Sequence, residues 1–112
     1  VIYVVTKKEI TKMTEIKNEK LRKQAREQVL LEVKRLNKYI EQSRYNFKHG
    51  RRTSAINLFS ITKDGLASAR YWVNEILIFS ENNPTDDELE IINLVESRVL
   101  PIEELAKELE VC

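Results

Sequence analysis

The chain has 112 residues, 42% hydrophobic and 33% charged, a balance that excludes a disordered chain and suits a single domain over 1–112 with a modest core. Two glycines and two prolines in total are too few for the turn-rich all-β folds, and no apolar run approaches the ~20 residues of a membrane span. The net charge of +1 hides a polarity: residues 1–52 carry 15 Lys/Arg against 6 Asp/Glu, and residues 53–112 carry 4 against 12.

Val1–Val5 (VIYVV) is β-branched and aromatic with no helical period, so it predicts one short strand or an apolar arm. Five apolar residues followed at once by TKKE do not read as a signal peptide. Thr6 to Glu9 has the form of a capping box, with a short helix over about 7–17 presenting Ile10, Met13 and Ile16. At KNEK (17–20) the apolar face shifts on the helical wheel, so a break is expected there, with Asn18 capping a new helix.

From about 19 to 48 there is no glycine or proline, and Leu21, Ala25, Val29, Val33, Leu36, Ile40 and Phe47 recur on one stripe. Lys20, Arg22, Lys23, Arg26, Lys34 and Lys38 are expected on the opposite face. His49-Gly50 ends this helix, because glycine takes the left-handed conformation without steric cost. Thr53 or Ser54 is expected to cap the next helix, which runs over about 53–79 with Ala55, Leu58, Phe59, Thr62, Leu66, Ala69, Trp72, Val73, Ile76 and Leu77 inward. Trp72 is expected in the core. Gly65 falls on that same face, where its helix-propensity cost of about 1 kcal/mol implies the close approach of another helix.

SENNP (80–84) reads as a turn. Thr85-Asp86-Asp87-Glu88 forms a second capping box, its acids placed where the helix dipole favours them. A helix over 86–98 follows, burying either Leu89, Ile92 and Val95 or Ile91 and Leu94. Pro101 suits the first position of a last helix presenting Ile102, Leu105, Ala106 and Leu109. The fold class is therefore all-α, a bundle of four to five helices around a long antiparallel αα-hairpin (about 19–48 and 53–79), with a short N-terminal strand or arm.

Chemistry is sparse. One histidine and one cysteine, 63 positions apart, cannot supply a nitrogen and sulfur ligand set, so no metal is expected. No glycine-rich phosphate loop or nucleophile elbow occurs, so no cofactor is expected. The lone Cys112 suits a reducing, cytoplasmic setting.

The stretch SRYNFKHGRRT (43–53) holds the only histidine, one of the two glycines and four basic side chains. Within it RYNFKHG (44–50), with Arg44 and His49 separated by four residues, resembles the arginine–histidine signature of HEPN-type helical ribonucleases. That resemblance implies a dimeric enzyme in which His49 moves a proton from a ribose 2′-OH and Arg44 steadies the phosphorane. On its own chemistry, His49 also reads as a helix C-terminal cation favoured by the dipole, with Gly50 as its cap. The tail LPIEELAKELEVC (100–112) resembles the first helix of a helix-turn-helix through Leu105, Ala106 and Leu109, without the turn glycine expected near Glu110. The plainer reading makes Leu105 and Leu109 the closure of the bundle.

Three functions compete on this reading. The leading one is a non-enzymatic helical module that binds nucleic acid, DNA or RNA, through Lys34, Lys38, Arg44, Tyr45, Lys48, Arg51 and Arg52, and a protein partner or second copy through its acidic C-terminal helices. Cations there would meet phosphates and exposed tyrosines would stack on unpaired bases. Such a module suits a small subunit of a nucleic-acid-processing assembly. The second is a structural interaction domain whose oppositely charged halves satisfy one another. The third is the ribonuclease using Arg44 and His49.

Overall fold

The computed structural model describes residues 7–111, with side chains from residue 18 onward. The VIYVV strand, the Thr6 capping box, the inward face of Ile10, Met13 and Ile16, and Cys112 lie outside the described residues. Four helices follow in order: α1 (Lys7–Lys48), α2 (Arg52–Phe79), α3 (Asp86–Glu96) and α4 (Val99–Glu108). No strand occurs among the described residues, so the class is all-α.

The expected break at KNEK is absent, and α1 is one helix of 42 residues. Nothing in KNEK removes a backbone donor or demands a positive φ, so a shift of apolar face alone does not stop a helix. At 1.5 Å per residue α1 is ~63 Å long and α2 ~42 Å, so α1 outruns its partner. The radius of gyration of 19.4 Å exceeds the ~13 Å of a compact chain of this length. The molecule is a rod, and its core is a strip along the hairpin.

The hairpin turn is a Schellman motif. Arg51 N donates to Asn46 O at 2.8 Å and Gly50 N to Phe47 O at 3.1 Å, with Gly50 at φ +78, as the left-handed cap requires. The N-cap of α2 is Arg51, with no side-chain cap bond. Thr53 and Ser54 are therefore not caps; the motif delivers the chain so early that both fall inside the first turn. Close packing near the turn comes from Ser43, fully buried, whose hydroxyl donates to Ala55 O at 2.7 Å.

α3 and α4 lie end to end over the hairpin, advancing with α1. Three polar contacts mark the path: Glu88 with Arg22 and Arg26, Arg98 with Asn37 at 2.8 Å, and Glu108 with Arg44 at 2.8 Å. The short break between them has a covalent cause. Pro101 has no N–H, and its ring would clash with the carbonyl of residue 97 in a continuous helix. α4 thus begins at Val99, and Pro101 sits in its first turn, where N–H groups have no helical acceptor.

Two apolar clusters fill the strip. One joins Val29 and Val33 of α1, Ala69 and Val73 of α2, and Val95 of α3. The other joins Leu36, Ile40, Phe59, Ile102, Leu105 and Leu109 near the turn. Leu66 packs against both. Leu105 and Leu109 are completely buried, so the tail closes the bundle. Trp72 is only half-buried at the flank of the first cluster, edge-on to Tyr71. The aromatic expected in the core instead borders it. Phe47 is likewise half-buried against the second cluster.

Neither stripe expected for α3 is the buried one. Leu89 and Leu94 are exposed, and the inward row is Glu88, Ile91, Ile92 and Val95. Arg22 and Arg26 correspondingly do not lie on the outer face of α1. They sit beside the apolar stripe and turn to Glu88.

α2 and α4 both end in Schellman motifs lacking glycine. Glu81 and Glu110 occupy the left-handed position at φ 55 and φ 57, with Asn82 N bonded to Leu77 O and Val111 N to Ala106 O. A β-carbon there costs about 1–2 kcal/mol. Glu110→Gly removes that cost and adds some unfolded-state entropy, so it is expected to raise stability by about 0.5 kcal/mol or more in urea unfolding. No gain would mean that the motif is relaxed around Glu110.

Candidate nucleic-acid interface

The turn between α1 and α2 carries a run without acids. Between Glu41 and Asp64 every charged residue is a cation: Arg44, Lys48, Arg51, Arg52 and Lys63. The helix period places Lys34, Lys38, Tyr45 and Lys48 on one outward stripe of α1, across from Leu36. All four are exposed. Lys34 to Lys48 spans ~21 Å of helix, and Glu41 lies in the same stripe. Arg51 and Arg52 stand beyond its end, also exposed.

The tip is organised around Tyr45, which is 56% exposed. The His49 ring stacks on it with centroids 4.0 Å apart and planes inclined by 28°. His49 Nδ1 lies 2.8 Å from Tyr45 O. A carbonyl only accepts, so Nδ1 carries the proton and Nε2 is the free ring nitrogen. The Arg51 guanidinium carbon lies 5.5 Å from the Tyr45 centroid, within cation–π range. Its Nε donates to Asn46 Oδ1 at 2.6 Å, and Asn46 Nδ2 donates to Gln42 O at 2.8 Å. Tyr45, His49 and Arg51 are thus held by local contacts before any ligand arrives.

Arg44 stands apart from this group. Its Nε donates to Glu108 Oε2 of α4, and that hydrogen bond raises its pKa further above an already basic value, against the opposing effect of burial. The two residues of the ribonuclease-like signature therefore engage different elements. Arg44 turns to α4, while His49 stacks at the tip. Their positions are five residues apart, about 140° around the helix.

The charge polarity of the two halves is resolved only in part. Arg22, Arg26 and Arg44 of the first half pair with Glu88 and Glu108 of the second. Among the described residues, Lys34, Lys38, Lys48, Arg51 and Arg52 form no ion pair.

Glu88 is the ionisable residue that sequence reasoning treated as an ordinary helix-start acid. It completes the capping box, accepting from Thr85 N at 2.9 Å while Glu88 N donates to Thr85 Oγ1 at 3.2 Å. It is also fully buried. Arg22 Nε and Nη2 and Arg26 Nη1 all donate to its carboxylate. Burial alone would push its pKa up, but hydrogen bonds from Arg22, the Thr85 backbone and Arg26, with the Arg22 charge, hold it at about 2. The missed signal was its place in the i, i+3, i+4, i+7 row with Ile91, Ile92 and Val95. A carboxylate in an inward row requires a cation opposite.

Among the described residues, no group of three His, Cys, Asp or Glu side chains is placed to hold a metal ion, and no helix is long and apolar enough to cross a membrane. No protein-family model, characterised protein or solved structure matches the chain.

Proposed function

We propose that this chain is a nucleic-acid-binding module without catalytic activity of its own, gripping phosphates with the tip of its helical hairpin and the outer stripe of α1. The observation that carries this reading is the turn segment, where every charged residue between Glu41 and Asp64 is a cation. There Lys48, Arg51 and Arg52 stay exposed and unpaired among the described residues beside an exposed tyrosine. Clustered cations release condensed counterions when they meet a phosphate backbone, giving an affinity that needs no sequence readout. The tip's preset contacts lower the entropy lost on binding. Lys34 and Lys38 extend the track along α1. Arg44 contributes little, because Glu108 takes up its guanidinium and neutralises its charge. The outer faces of α3 and α4 are acidic, and a polyanion avoids them. A role as a small subunit of a nucleic-acid-processing assembly fits these two unlike surfaces.

Fluorescence anisotropy with labelled single-stranded DNA, duplex DNA and RNA across a salt series tests the proposal. The expected result is an affinity that falls steeply with salt. Replacing Lys48, Arg51 and Arg52 together by alanine should reduce the slope of log K against log salt by about 2–3. All three are exposed, so helicity should be unchanged. Absence of binding at low salt, or an unchanged slope in the triple variant, would remove the tip as the binding surface.

A further inference from the structure

A groove of about 740 Å³ runs between α2 and α4, lined without any residue of α1. Phe59, Leu66 and Ile102 form apolar lining, and Ala67 and Ala106 keep its two walls low. Its two helices bring opposite charges. Lys63 and Arg70 come from α2, and Glu103 comes from α4. Lys63 Nζ lies 5.7 Å from the Phe59 ring centroid, so the ammonium stands over the apolar lining. Arg70 is shared with Glu96 at 3.5 Å. Among the described residues neither Lys63 nor Glu103 forms an ion pair. Large apolar side chains are exposed at or beside this groove: Tyr71, which lines it at 56% exposure, and Leu100, next to the lining residue Val99, at 61%.

We propose that this groove is a homodimer contact, occupied by α4 of a second copy of the chain. The argument is charge complementarity of the surface with itself. A two-fold axis sets the same patch against its own copy, so that each pairing occurs twice. The basic α2 side of one copy then faces the acidic α4 side of the other, and the reverse holds at once. Leu100 supplies an apolar plug, and Glu103 beside it meets Lys63 of the second copy. A foreign helix would need this same arrangement of one apolar anchor flanked by acids, and α4 already has it. Because α1 contributes nothing to the groove, dimerisation leaves its outward stripe open and places two such stripes on one assembly. This inference does not depend on what the tip binds.

Sedimentation equilibrium of the full chain from ~1 μM to ~500 μM tests it. A monomer–dimer equilibrium is expected. Lys63→Glu and Glu103→Lys should each raise the dissociation constant about tenfold or more, through like charges set face to face. The combined Lys63→Glu/Glu103→Lys chain should return towards the parent value, because the swap restores both pairings. Lys63 and Glu103 are exposed, and circular dichroism checks that each variant keeps its helices. A chain that stays monomeric across the range overturns the proposal. So does a dimer indifferent to both single changes, or one that the double change fails to restore.

Discussion

Glu88→Ala is expected to lower the unfolding free energy by about 3 kcal/mol, a large part of the ~5–15 kcal/mol that holds a domain of this size. The side chain has two tasks, and alanine removes both. Loss of the capping box frees N–H groups at the start of α3 and costs about 1 kcal/mol. Loss of the charge leaves Arg22 and Arg26 without their shared partner. Their side chains are 24% and 32% exposed, so they regain some water, and the penalty stays near the lower end of that for breaking a buried pair. Glu88→Gln keeps an acceptor for the cap and should cost less. The pair of variants separates capping from charge.

The same residue gives the protein an acid-sensitive stability. The folded carboxyl is held at about 2, below its ordinary value of 4.5, so its contribution is fully present above pH ~4.5. Protons bind the unfolded chain first as pH falls, and the contribution is lost through the window down to about 2. Each pH unit crossed inside that window removes roughly 1.4 kcal/mol, so about 2 kcal/mol should be gone by pH 3 in the parent. Glu88→Gln should lack this part of the pH dependence. Urea unfolding at pH 7 and pH 3 measures both; equal acid sensitivity in parent and Gln variant would falsify the buried charge pair.

Leu36→Ala is expected to cost about 3 kcal/mol, because Leu36 is fully buried in the cluster nearer the turn and its removal opens a cavity. The more telling result is its coupling to Gly65. A β-carbon on Gly65 would lie 3.0 Å from Leu36 Cδ2 and 3.8 Å from its Cγ, closer than relaxed packing allows. In the parent, Gly65→Ala sets a helix-propensity gain of about 1 kcal/mol against that contact, and little net change is expected. In the Leu36→Ala background the obstructing methyl is gone. There Gly65→Ala should recover about 1 kcal/mol, a coupling of the size seen for residues in contact. Strict additivity in the double-mutant cycle would mean that α1 and α2 are not held apart by this pair.

These two sites show where reading the chain succeeds and where it stops. Gly65 was legible as a point of close approach, because a glycine on an inward helix face has a conformational cost with no local return. Its partner Leu36 was not, since register between two helices depends on the turn that joins them. Thr85 and Glu88 were legible as a capping box, which is a contact across three residues. The meeting of Glu88 with Arg22 and Arg26 spans more than sixty residues. Neither helix alone shows which way its polar border will face. At the tip, the cluster of cations was plain in SRYNFKHGRRT. The division of labour within it was not: Arg44 goes to Glu108 of α4, while Arg51 folds back on Asn46 and Tyr45.

By itself the sequence determined what local chemistry controls. Scarce glycine and proline, unbroken apolar periodicity, the left-handed glycine at 50 and the acids after Thr85 settle an all-α chain with its hairpin turn in place. Tertiary structure alone decided that Trp72 borders the core and that α3 buries a carboxylate. It also decided which cations are spent on the acidic half and which stay free at the tip. The physical reason is range. Caps, turns and periodicity act within a few residues. Burial and ion pairing depend on which distant helix arrives opposite, and that is set only when all four pack together.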